Sequence, residues 1–94
     1  MDKAKAQVRH FIRRARERFG VRLNKEGVRE IVKMIQHNEL PHVGSQSTAR
    51  TAFLIPVGDG REAVVIYDKN RQTPRTILTR EMWEARECQI EARA

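Results

Sequence analysis

The sequence predicts an α+β domain: two N-terminal helices packed on an antiparallel β-meander of about three strands, followed by a C-terminal helix. Three observations predict it. Apolar residues recur at helical spacing over 2–19 and again over 25–38. Nearly all the β-branched and aromatic residues suited to a sheet are gathered between positions 50 and 79. Two polar turns then divide that stretch into strands over about 50–57, 62–68 and 75–79.

In the first helix Ala4, Val8, Phe11, Ile12, Ala15 and Phe19 share one face, and Gly20 supplies the stop. The opposite face carries Arg9, Arg13 and Arg16, with Arg14 and Arg18 beside them. Asn24 is suited to cap the second helix, because its side-chain oxygen accepts from a free amide of the first turn. Glu26 complements the dipole, Val28, Ile31, Val32 and Ile35 form the apolar stripe, and Pro41 ends the helical pattern. The stretch 42–49, HVGSQSTA, is small, polar and hydroxyl-rich and is expected to be a linking loop.

In the strand region Gly58-Asp59-Gly60 forms a tight turn and Lys69-Asn70-Arg71-Gln72 a polar one, so the strands run as a meander. Alternation places Phe53, Ile55 and Val57 on one side of the first strand and Ala52 and Leu54 on the other. In the second, Val64 and Ile66 oppose Ala63, Val65 and Tyr67, and periodicity leaves open which set meets the helices. Thr79 is suited to cap a last helix over about 80–92, with Trp83 and Ile90 on one side and Met82, Ala85 and Cys88 nearby.

The chain has 94 residues, room for one domain with one modest core. No apolar run approaches the roughly 18 residues of a membrane span. The charged start, Asp2 and Lys3, argues against a secretory signal, and the single cysteine, Cys88, suits a reducing compartment. The expected location is the cytoplasm of a bacterial host cell. The net charge is +7, with most of the excess in the first forty residues. A basic end on a small domain favours a polyanionic partner, with a solvated helix face as the plainer alternative.

Motifs for metal or nucleotide chemistry are absent from the sequence pattern. His10, His37, His42 and Cys88 stand at no familiar ligand spacing, and there is no phosphate-binding glycine loop or nucleophile elbow, so neither metal nor cofactor is expected. What remains suits phosphodiester work. His42 offers an imidazole that can serve as base or acid. Arg50, Arg71 and Arg75 offer forked donors to phosphate. Ser45, Ser47, Thr48 and Thr79 offer hydroxyl donors, and Tyr67 a ring or a proton. Taken singly, each has a plainer role: loop histidine, surface arginine, core-edge tyrosine.

The segment AVVIYDKNRQTPRTILT at 63–79 resembles the strand-turn-strand that closes domains of the group joining barnase, EndoU, colicin RNases and RelE-like toxins. RERFGVRLNKEGVREIVKMI, at 16–35, resembles the helical pair that precedes the sheet in small phage- and toxin-associated members. The resemblance implies a metal-independent endoribonuclease acting on tRNA, mRNA or ribosome-bound RNA. It passes catalytic roles to His42, Arg50, Tyr67 and Thr79. Arg9, Arg13, Arg16, Ser47, Arg71 and Arg75 are then the expected nucleic-acid contacts. The chain departs from the group in its strand number and in the helix that follows the sheet. The expected partners are RNA and a protein, either an inhibitor or a host target, with no membrane and a monomer or homodimer as the working state. The alternative is a non-enzymatic phage-type protein that docks on host nucleic-acid machinery through its basic helices. A DNA-reading helix lacks supporting spacing.

Overall fold

The computed structural model describes residues 3–85. Helix α1 (Lys3–Phe19) and helix α2 (Lys25–Gln36) are followed by strands β1 (His42–Ser45), β2 (Arg50–Gly58), β3 (Arg61–Asp68) and β4 (Thr73–Thr79). A helix, α3, begins at position 80 and is described to position 85. The four strands form one antiparallel sheet in the order β1-β2-β3-β4. The fold is therefore the expected α+β arrangement, with four strands in place of three. The added strand is β1, within the stretch expected to be a loop. Cys88, Ile90 and the rest of the helix expected to reach 92 lie outside the described residues.

Local chemistry accounts for the boundaries. Gly20, at φ 68°, ends α1 with its amide donating to the Arg16 carbonyl at 3.0 Å. The Asn24 side chain accepts from the Gly27 amide at 2.8 Å and caps α2. That helix stops at Gln36, before the expected 38, because Asn38 turns to φ 57° and the Glu39 amide closes back on the Met34 carbonyl at 2.8 Å. Between β2 and β3, Gly58 pairs with Arg61, which leaves Asp59 and Gly60 as a two-residue loop with positive φ at both positions. The β3–β4 turn is folded around Asp68, whose Oδ1 accepts from the amides of Asn70 at 3.0 Å and Arg71 at 3.2 Å.

The sheet is covered on both faces, unequally. Phe53, Ile55, Val57, Ala63, Val65, Tyr67 and Ile77 face the helices and pack with Phe11, Ala15, Phe19, Val28, Ile31, Ile35 and Leu40. This settles which strand set meets the helices. On the other face Ala52, Val64, Ile66 and Leu78 pack with Trp83 of α3, with Val43 and Leu54 at the margin. The main core is the helix side, and the second face is a thin apolar layer under one tryptophan. β4 is an edge strand, so its buried Pro74 costs no central ladder bond. Helix α1 lies against β4, and the Arg18 guanidinium donates to the Ile77 carbonyl on that edge.

Candidate nucleic-acid interface

A groove of about 1150 Å³ opens where α1 meets the β4 edge. Its helical wall is the stripe Lys3, Gln7, His10, Arg14 and Arg18, at steps of four, three, four and four along one flank of α1. The facing wall comes from three separate places. Ser47 and Arg50 stand at the junction of β1 and β2, Arg71 in the β3–β4 turn, and Arg75 on β4. Leu78, Met82 and Trp83 close the apolar end. Among the described residues six cationic side chains line the groove and no carboxylate does.

The walls are held in register by a polar bridge centred on a buried carboxylate. Asp68 is 3% exposed, and its Oδ2 accepts from Gln7 Nε2 at 3.3 Å and from Arg71 Nη1 at 3.0 Å. Thr73 Oγ1 donates to Gln7 Oε1 at 2.9 Å. One glutamine on α1 thereby fastens the N-terminal half of the helix to both ends of the β3–β4 turn. The C-terminal half is fastened by Arg18 on the Ile77 carbonyl and by Arg61, whose Nη2 donates to the Phe19 carbonyl at 3.2 Å. Burial alone would raise the Asp68 carboxyl. The Arg71 amide, the Gln7 amide group, the Arg71 guanidinium and the Asn70 amide together outweigh it and hold the group below the usual carboxylate range. The loop between β1 and β2 is fastened as well. The Arg50 carbonyl accepts from the Gln46 amide at 2.8 Å and the Ser47 amide at 3.2 Å, and the Lys69 amide donates to Ala49 O at 2.8 Å.

His10 stands among these cations. Partial burial, then the charges of Arg14, Arg13, Arg18 and Arg75, push the imidazole below its ordinary 6.5. It is therefore a neutral base at physiological pH, set in a wall of positive charge. A neutral imidazole with fixed guanidinium groups around it can accept a proton from a hydroxyl while the cations hold the charge of a neighbouring phosphate.

Of the residues expected from the sequence, Ser47, Arg50, Arg71 and Arg75 converge on this groove. The others lie elsewhere. His42 is exposed on edge strand β1, its ring edge-on to Phe53 at 5.5 Å. Tyr67 is buried on the helix side of the sheet, with Gln36 Nε2 3.5 Å from its hydroxyl. Thr79 caps α3, its hydroxyl accepting from the Met82 amide at 3.1 Å. Arg9, Arg13 and Arg16 are exposed, with Arg13 3.9 Å from Glu17 and Arg16 beside a smaller hollow formed with Ile12, Arg22 and Leu23. Lys3, Gln7, His10, Arg14, Arg18 and Asp68 are the additions. The spacing of Lys3, Gln7, His10, Arg14 and Arg18 is a visible helical stripe, whereas the bridge from Gln7 to Asp68 joins residues 61 apart.

Among the described residues no group of three or more His, Cys, Asp or Glu side chains could hold a metal ion. None of their helices is long and apolar enough to cross a membrane. No family model, no curated protein and no solved structure matches the chain.

Proposed function

We propose that the chain binds RNA through its phosphates in the groove between α1 and β4, as a metal-independent endoribonuclease of the phage or toxin type. The observation that supports this reading is the convergence of six cations from four segments on one groove, with no carboxylate in its lining among the described residues. Arg50, Arg71 and Arg75 supply forked donors to phosphate oxygens, and Ser47 a hydroxyl. His10 takes the proton of an RNA 2′-hydroxyl. The O2′–P bond forms, the P–O5′ bond breaks, the leaving 5′-oxygen takes a proton from water, and the hydroxide left takes the proton held on His10. The products are a 2′,3′-cyclic phosphate and a 5′-hydroxyl, so no oxidant, cofactor or metal enters the balance. In this assignment His10 replaces His42, and Tyr67 and Thr79 keep structural roles.

The binding-only alternative draws on a different surface. Arg9, Arg13 and Arg16 form an exposed stripe on α1 outside the groove, suited to docking on host nucleic-acid machinery. The deciding experiment incubates the protein with tRNA and with a ribosome–mRNA mixture in chelator and maps the product ends. Discrete cuts with cyclic-phosphate termini that vanish in His10→Ala support the enzyme. Cuts that survive His10→Ala but vanish in His42→Ala move catalysis to the β1 edge. Binding without cuts leaves the docking alternative.

A further inference from the structure

We propose that the groove takes a single-stranded segment rather than a duplex, with a base set against Met82 and its phosphates on the arginines; this rests on the RNA reading above. Met82 is the one large hydrophobic side chain exposed among the described residues, at 37%. It does not stand in a general apolar patch. It stands at the end of the cationic groove, next to Leu78 and Trp83. Arg75 and Thr76 lie in the same lining, so apolar and phosphate-binding groups meet at that end.

This mixed lining discriminates between nucleic-acid forms. A duplex stacks its bases inside and offers only phosphate and sugar to a basic surface, which would seat charge on Met82 and desolvate it without a partner. A single strand can turn a base out, lay its face on the apolar end and leave its backbone on the cations. Scale agrees. A groove of this volume is about that of a pocket for one drug-sized body or slightly more, which suits a short run of nucleotides and not a helix. Trp83 is 6% exposed and packed on Ala52, Val64, Ile66 and Leu78, so it forms the wall behind the base rather than the stacking surface.

Trp83 is the chain's single tryptophan, which makes its fluorescence a reporter of this end of the groove. The test titrates the protein with a twelve-nucleotide single-stranded RNA and with the same sequence as a blunt duplex, at one fixed salt concentration. The expected result is at least about tenfold tighter binding of the single strand, with a change in Trp83 emission that the duplex does not produce. Met82→Ser should weaken single-strand binding several-fold and leave duplex binding unchanged, and Met82→Leu should restore it. Equal or tighter duplex binding overturns the inference, as does single-strand binding indifferent to Met82→Ser in a variant whose circular dichroism and melting match the parent. Binding of neither form overturns the RNA reading itself, and the two failures are thereby distinguished.

Discussion

Two flanks of α1 carry arginines at similar spacing and differ in what stands opposite them. Arg9, Arg13 and Arg16 face solvent, with Glu17 3.9 Å from Arg13 and accepting from Arg14 Nη1 of the other flank at 2.8 Å. Lys3, His10, Arg14 and Arg18 face Arg50, Arg71 and Arg75 across a groove. Charges spread on a convex, wet flank are screened over about 8 Å at physiological salt and act singly. Charges on facing walls act together on whatever lies between them, and low-dielectric walls focus their field. The difference lies in the partner surface and not in the helix.

Breaking the comparison by charge reversal should give the largest effect. Arg50→Glu with Arg75→Glu should weaken RNA binding by about 100-fold at moderate salt, whereas Arg9→Glu with Arg13→Glu should stay within about threefold. Fluorescence anisotropy with a labelled strand measures both. The parent's log K against log salt should fall with a slope of about −4 if all six groove cations are engaged, and each groove arginine removed should reduce it by about 0.7. Equal losses on the two flanks would erase the distinction.

The bridge that sets the walls gives the next effect. Asp68→Ala leaves the Asn70 and Arg71 amides and Gln7 without their acceptor, and should cost about 2 kcal/mol in urea denaturation. The stability conferred by the lowered Asp68 carboxyl is present above its ordinary 3.8 and is lost as pH falls through the folded value, so acid should erase the difference between parent and variant.

Much of the fold was legible because its signals are local. The α1 and α2 stripes, the Asn24 cap, the Gly20 stop and the Gly58-Asp59-Gly60 turn need only neighbouring residues. β1 was hidden because its four residues include Gly44 and Ser45 and are only half-buried at best, so neither β-propensity nor apolar alternation marks them. It is a strand because β2 offers it a ladder: the Leu54 amide donates to the Pro41 carbonyl at 2.9 Å beyond its end. The candidate site was half legible. Arg50, Arg71 and Arg75 stood out by residue type and by nearness to turns. The choice of flank on α1 was not legible, because helical periodicity finds the apolar stripe and treats everything else as one polar face. Gln7 and Asp68, which fix that choice, meet only through the fold.

The pH response of the groove is a smaller effect. Because His10 titrates below its ordinary 6.5 in the free protein, the unfolded chain binds more protons just under that pH, and stability falls as pH drops through the window. A phosphate chain in the groove reverses the local field and favours the imidazolium. RNA binding should therefore strengthen by roughly threefold to tenfold as pH falls from about 7 to about 5.5, and His10→Asn should flatten that dependence. A solvent-flank substitution such as Arg9→Gln, the smallest change, should leave the profile unaltered.

RNA binding in the groove is tested by recording the arginine side-chain Nε–Hε signals by NMR during titration with a short single-stranded RNA. The expected result is shifts at Arg14, Arg50, Arg71 and Arg75, with the Trp83 indole moving in parallel and Arg9, Arg13 and Arg16 staying in place. Shifts confined to Arg9, Arg13 and Arg16, with Arg50 and Arg75 unmoved, would contradict it.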